Sequence, residues 1–89
     1  MYQKTTVIKN RTGLHARPAS EFIACAKKFK SNILIGRTNE EEKVNAKSIV
    51  LLLSLGIGQG ESVAICAEGE DEVEAVDTLV ALIEAGFNE

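Results

Sequence analysis

Within the run Thr12-Gly13-Leu14-His15-Ala16-Arg17-Pro18, an imidazole and a guanidinium stand two residues apart. A neutral imidazole nitrogen is a nucleophile that can accept a phosphoryl group, and a guanidinium presents a fork that grips phosphate through paired N–H bonds. Both lie where a helix begins, because Pro18 has no N–H to offer and is tolerated in a first turn. The first N–H groups of a helix have no partner within it, and together with the positive end of the dipole they attract anions. Groups that hold phosphate at such a place also stabilise the charge that develops during its transfer. The chemistry this spacing supports is phosphoryl acceptance on His15 with Arg17 holding the anion. The plain alternative is that His15 only caps the helix and Arg17 is an ordinary surface charge.

The remaining reactive residues narrow the field. His15 is the single histidine and no aspartate precedes Asp71, so a Ser-His-Asp triad is poorly supported. Cys25 and Cys66 are too few and too far apart for a disulfide framework or a zinc site, and both fall in apolar patterns that suit buried, reduced thiols. Gly56-Ile57-Gly58-Gln59-Gly60 lacks the G-x-G-x-x-G spacing and follows a helix, so no nucleotide site is read there. Neither a cofactor nor a metal is expected.

The elements that must position His15 are legible in the patterning. Tyr2 to Lys9 is rich in β-branched residues and predicts a strand. Ala19, Phe22, Ile23, Ala26 and Phe29 form a helical stripe, so a helix starts near Ala16 with His15 at or beside its N-cap. Ser31 to Arg37 alternates and predicts a second strand; a polar loop from Gly36 to Glu42 leads to a short third strand around Lys43 to Asn45. Asn45 is placed to cap a helix over Lys47 to Leu55, whose apolar side chains run nearly all round and cannot all be buried. Ser62 to Glu68 predicts a fourth strand, and Glu70 to Phe87 a last helix with acids in its first turn and Val73, Val76, Leu79, Val80 and Ile83 on one face. The order is βαββαβα. It implies an α+β fold, an open-faced β-sandwich in which a four-stranded antiparallel sheet carries three helices on one face.

A chain of 89 residues has room for one domain with one small core. No apolar run approaches the roughly 18 residues of a membrane span, and the start lacks a signal-peptide core, so a cytoplasmic protein without membrane insertion is expected. The net charge of −3 hides an asymmetry: residues through Arg37 hold eight bases against Glu21, and the rest hold two lysines against twelve acids. The basic half suits an anionic partner. Nucleic acid is disfavoured by the acidic total and the 4% aromatic content.

Gly13-Leu14-His15-Ala16-Arg17-Pro18-Ala19, then Val44-Asn45-Ala46-Lys47-Ser48-Ile49, then Ser54-Leu55-Gly56, together resemble the HPr family, the histidine-containing phosphocarriers of the bacterial phosphoenolpyruvate:sugar phosphotransferase system. The similarity covers essentially the whole chain. It implies that His15 takes a phosphoryl group on Nδ1 from phospho-enzyme I and passes it to enzyme IIA domains, with Ala16 and Arg17 holding the phosphate. It implies that Ser48 matches the serine phosphorylated in many Gram-positive bacteria by HPr kinase/phosphorylase, a modification that in Firmicutes creates a corepressor for the catabolite control protein. Such carriers are substrates of enzymes and not independent catalysts. A monomer is expected, docking its partners through Ser20, Lys27, Lys47, Ile49, Val50 and Leu53, together with Arg17. Leu51 and Leu53 stand where relatives often have glycine, methionine or polar residues, so the docking patch is more apolar. The nitrogen-branch carrier, which shares the His-Ala-Arg-Pro motif, is the alternative implied by the ending Ala85-Gly86-Phe87-Asn88. A binding module that is not phosphorylated is the other.

Overall fold

The structure is a computed structural model and describes residues 1–88; the domain expected over 1–89 is followed as far as Asn88, and Glu89 lies outside the described residues. The order of elements is β1 (Tyr2–Val7), α1 (Ala16–Ala26), β2 (Asn32–Arg37), β3 (Val44–Asn45), α2 (Ile49–Ser54), β4 (Ser62–Glu68) and α3 (Glu72–Glu84), closed by a 3₁₀ turn at Gly86–Asn88. This is the βαββαβα order read from the sequence.

The strands form one antiparallel sheet in the order β1-β4-β2-β3. Successive side chains of a strand point to opposite faces, so Val63, Ile65 and Ala67 of β4 share one face and are buried with Ile33 and Ile35 of β2. The helices cover that face. Tyr2 and Thr6 of β1 reach α3 on the same side, the Tyr2 hydroxyl donating to Asp77 at 3.0 Å and the Thr6 hydroxyl to Glu84 at 3.1 Å. The other face stays open, and small residues lie at its centre. Ala64 and Cys66 are nonetheless only 2% and 6% exposed, because β4 is flanked by strands on both sides.

One hydrophobic cluster joins the layers. The α1 stripe of Ala19, Phe22, Ile23, Ala26 and Phe29 meets Val76, Leu79, Val80 and Ile83 of α3 within it. Each large side chain so enclosed contributes roughly 1.5–3 kcal/mol. Val73, expected on this face of α3, is instead half exposed.

β2 and β3 each start one residue later than expected, and three other elements differ by two residues or more, each for a local reason. The pairing of β1 stops at Val7, although the chain stays tied to its neighbour through the Ile8 N–H on the Glu61 carbonyl at 2.9 Å. Ser48, not Asn45, is the N-cap of α2: its hydroxyl accepts from the Leu51 N–H at 3.2 Å, and the helix runs Ile49–Ser54 rather than Lys47 to Leu55. Asn45 is still held in β3 opposite Leu34, and its side chain turns back to accept from the Lys47 N–H at 2.9 Å, as asparagine does in a local turn. Helix α3 spans Glu72–Glu84 and not Glu70 to Phe87. Past its end Gly86 and Phe87 take positive φ values of 68° and 55°, which breaks the helix and swings the Phe87 ring back into the core.

Candidate functional site

His15 is the N-cap residue of α1, in extended conformation at φ −133° and ψ 161°, and its imidazole makes no capping hydrogen bond. The ring is exposed. The simple capping role is therefore absent, and the side chain is available to something outside the molecule. Arg17 is exposed beside it, and among the described residues no hydrogen bond or ion pair holds either side chain. The first turn of α1 contains no acid. Helix α3 provides the contrast, since Glu72 and Glu74 already answer its positive end. The head of α1 thus combines an unanswered dipole, a guanidinium and an imidazole, an arrangement able to seat a phosphate-sized anion beside a nucleophilic nitrogen.

Ala16, directly after the imidazole, has φ +51°. A left-handed conformation at a residue with a Cβ costs roughly 1 kcal/mol and persists only where the surroundings impose it. Nothing in the sequence announces it, because alanine is the residue least suggestive of a special backbone.

The imposing surroundings lie in the loop before the helix and the loop after α2. The Leu14 N–H donates to the Ile57 carbonyl at 3.0 Å, with both side chains fully buried. At Gly13, φ is +70°, and a Cβ there would lie 2.6 Å from the Ile57 carbonyl oxygen and 2.7 Å from the Gly58 Cα. Only glycine admits that approach. The Asn10 side-chain amide donates to the Gly13 carbonyl at 2.9 Å and to the Thr12 hydroxyl at 3.2 Å, closing the turn. The glycine loop that carries no nucleotide fingerprint thus forms a seat beneath the His15 segment. Gly13 and Leu14 belong to the motif read from the sequence, but their contacts with Ile57 and Gly58 were not legible in it.

Helix α2 presents Ile49, Val50, Leu51 and Leu53 to solvent, at 38%, 73%, 43% and 42% exposure, and buries only Leu52 completely. The expected docking residues Ile49, Val50 and Leu53 are thus outward, with Leu51 beside them. Ser20 and Lys27 on α1 are also exposed. Lys47 is half-buried, and its ammonium donates to the Phe29 carbonyl at 2.7 Å, tying the segment before α2 to the turn after α1 rather than reaching into solvent. Ser48 is half-buried at the N-cap.

Burial pushes the Cys25 thiol up, away from the thiolate form that a nucleophile needs. Among the described residues no group of three or more His, Cys, Asp or Glu side chains stands close enough to hold a metal. No helix is long and apolar enough to cross a membrane.

Fold and site define a class: a small open-faced α+β carrier with a free imidazole at the head of a helix. The family described as the PTS HPr component phosphorylation site matches residues 2–85. The HPr-like protein Crh of Halalkalibacterium halodurans is 46% identical over 94% of this chain and 98% of its own. The phosphocarrier protein HPr of Haloferax volcanii is 42% identical over 86% of each chain. The crystal structure of HPr from Thermoanaerobacter tengcongensis superposes with a TM-score of 0.94 at 53% identity, covering 100% of this chain and 98% of that one. The chain belongs to the HPr family and is an HPr-type phosphocarrier.

Proposed function

We propose that His15 accepts a phosphoryl group on Nδ1 from phospho-enzyme I and passes it to enzyme IIA domains, serving sugar uptake. The observation that carries this reading is the exposed His15 imidazole, free of any capping bond, at a helix head without acids and with Arg17 alongside. In the transfer, the bond from phosphorus to the donor nitrogen breaks as the bond to Nδ1 forms. Arg17 and the backbone N–H groups from Ala16 onward hold the phosphate oxygens throughout. Residues 1–89 act as one phosphocarrier domain, monomeric and cytoplasmic. Partners dock on the α1 and α2 surface that carries Ser20, Lys27, Ile49, Val50 and Leu53, with Lys47 serving mainly to tie the segment before α2 to the turn after α1.

Incubation with phosphoenolpyruvate and enzyme I tests this reading. An acid-labile phosphate that disappears in His15→Ala is expected; no phosphate, or one that survives that change, would sink the relay. Sedimentation of the same sample checks the monomer, because an HPr dimer is known for Thermoanaerobacter tengcongensis and a swapped dimer for Crh of Bacillus subtilis.

A regulatory reading is favoured by one further observation: Ser48 is the N-cap of α2, next to its exposed apolar flank. A phosphate there would meet the positive end of a helix dipole and place negative charge beside the docking surface, hindering acidic partners. In this reading HPr kinase/phosphorylase is the modifying enzyme and the catabolite control protein a further partner. Crh, the catabolite repression HPr of Bacillus subtilis, is 40% identical to this chain, and the phosphocarrier protein NPr of Proteus mirabilis is 40% identical as well. Treatment with ATP and HPr kinase should yield an acid-stable phosphate that Ser48→Ala abolishes.

A further inference from the structure

Arg37, at the end of β2, and Glu61, just before β4, lie outside the site, yet their contacts converge on the loop beneath it. The Arg37 Nε donates to Glu61 Oε1 at 2.5 Å, and one of its terminal nitrogens reaches Glu61 Oε2 at 3.3 Å. The same nitrogen donates to the Gly56 carbonyl at 3.2 Å, while Glu61 Oε2 accepts from the Gly58 N–H at 2.6 Å. One ion pair therefore grips both shoulders of Ile57, the residue whose carbonyl holds the Leu14 N–H. The pair is well formed: the Arg37 hydrogen bond, aided by the Gly58 N–H, draws the Glu61 carboxyl below its ordinary range.

We infer that the Arg37–Glu61 pair is a positioning device for His15, bracing the Gly56–Gly58 loop so that Ile57 and Gly58 hold Gly13 and Leu14, and through them the imidazole, in transfer geometry. Two features distinguish this from a generic surface ion pair. Both Glu61 carboxylate oxygens accept from Arg37, and Oε2 takes a backbone N–H of the loop as well. Gly13 meets that loop at a distance no side chain would survive, so a shift of the loop is transmitted directly to the residue two before His15. The bond to the Gly56 carbonyl falls just past the end of α2, so the pair holds the loop and no residue of the docking helix itself.

This inference rests on the carrier reading for its activity arm and on hydrogen exchange for its structural arm, so the two fail separately. In Glu61→Ala, exchange of the Leu14 amide should rise about tenfold relative to the amides of β4 and α3. The maximal rate of phosphoryl transfer from phospho-enzyme I to His15 should fall about tenfold with KM nearly unchanged, because the docking surface is untouched. Arg37→Ala should do the same, and the double variant should be no worse than Glu61→Ala alone, since the two side chains act as one clamp. An unchanged Leu14 amide overturns the proposal whatever the transfer rate. A transfer defect confined to KM, or a double variant whose losses simply add, overturns it as well. If the wild type takes no phosphate on His15, the carrier reading fails and the Leu14 amide alone decides the clamp. Should Glu61→Ala lose its fold, Arg37→Lys keeps the charge, gives up the fork, and takes the same measurements.

Discussion

The Asp71 carboxylate accepts hydrogen bonds from both the hydroxyl of Ser31, at 2.5 Å, and its backbone N–H, at 3.0 Å. A third bond comes from the Lys30 N–H at 2.9 Å. The residue at the head of α3 thus caps nothing in its own helix and instead ties that helix to the turn between α1 and β2.

These bonds, led by the Ser31 hydroxyl and the Lys30 N–H, lower the Asp71 carboxyl from 3.8 to about 2. A carboxyl depressed in the folded state contributes stability that is full above the unfolded value and lost as pH falls through the folded one. Unfolding measured by urea across acidic pH should therefore show stability declining between about 4 and about 2. Asp71→Asn should be less stable at pH 7 and flatter across that window; equal slopes in the two proteins would refute the assignment.

Ser48→Ala removes the N-terminal side-chain cap of a six-residue helix and should cost about 1 kcal/mol in urea denaturation. Ser48→Asp retains an acceptor for the Leu51 N–H and should stay near wild-type stability. If the alanine variant is as stable as the aspartate variant, the bond seen at Ser48 contributes nothing in solution.

Gly13→Ala and Gly56→Ala place a Cβ on backbones of similar positive φ, 70° and 61°. At Gly56 nothing lies within 4 Å, whereas at Gly13 the new methyl would strike Ile57 and Gly58. Gly13→Ala should therefore be the more damaging by about 1–3 kcal/mol, the usual cost of forcing atoms into a packed contact. Equal losses, measured by thermal unfolding, would show that the approach of the two loops carries no energy of its own.

The proposed docking on Arg17 and Lys27 implies that transfer is sensitive to salt. Its rate should fall about tenfold as ionic strength rises from low to high values, chiefly through KM. Rates that ignore added salt would show that the basic surface is incidental.

Where a residue type announces its own environment, the sequence was a sufficient guide. The stripe from Ala19 to Phe29, the alternation of Ile33 and Ile35 and the place of His15 at the head of α1 were all legible, because period and helix-start signals are local properties. Helix caps were less so: Asn45 and Ser48 are both good caps, and the choice fell to Ser48 only because β3 holds Asn45 in the sheet. Hidden altogether were relationships between distant segments. The seat of Leu14 on Ile57, the use of Lys47 to tether Phe29, and the left-handed Ala16 all depend on chain that comes together only in the folded molecule.

The strand order has a consequence for how the molecule comes into being. β4 lies between β1 and β2, pairing Thr6 with Val63 and Ile35 with Ile65, so until the last strand arrives β1 has no partner and β2 has only the two-residue β3. Closing such distant pairs is slow compared with forming a helix. A nascent chain emerging in order therefore displays the His-Ala-Arg-Pro segment well before the Ile57 loop and β4 exist to hold it. The seat under Leu14 and the left-handed backbone at Ala16 are thus properties of the finished chain, imposed by its later half on its earlier one.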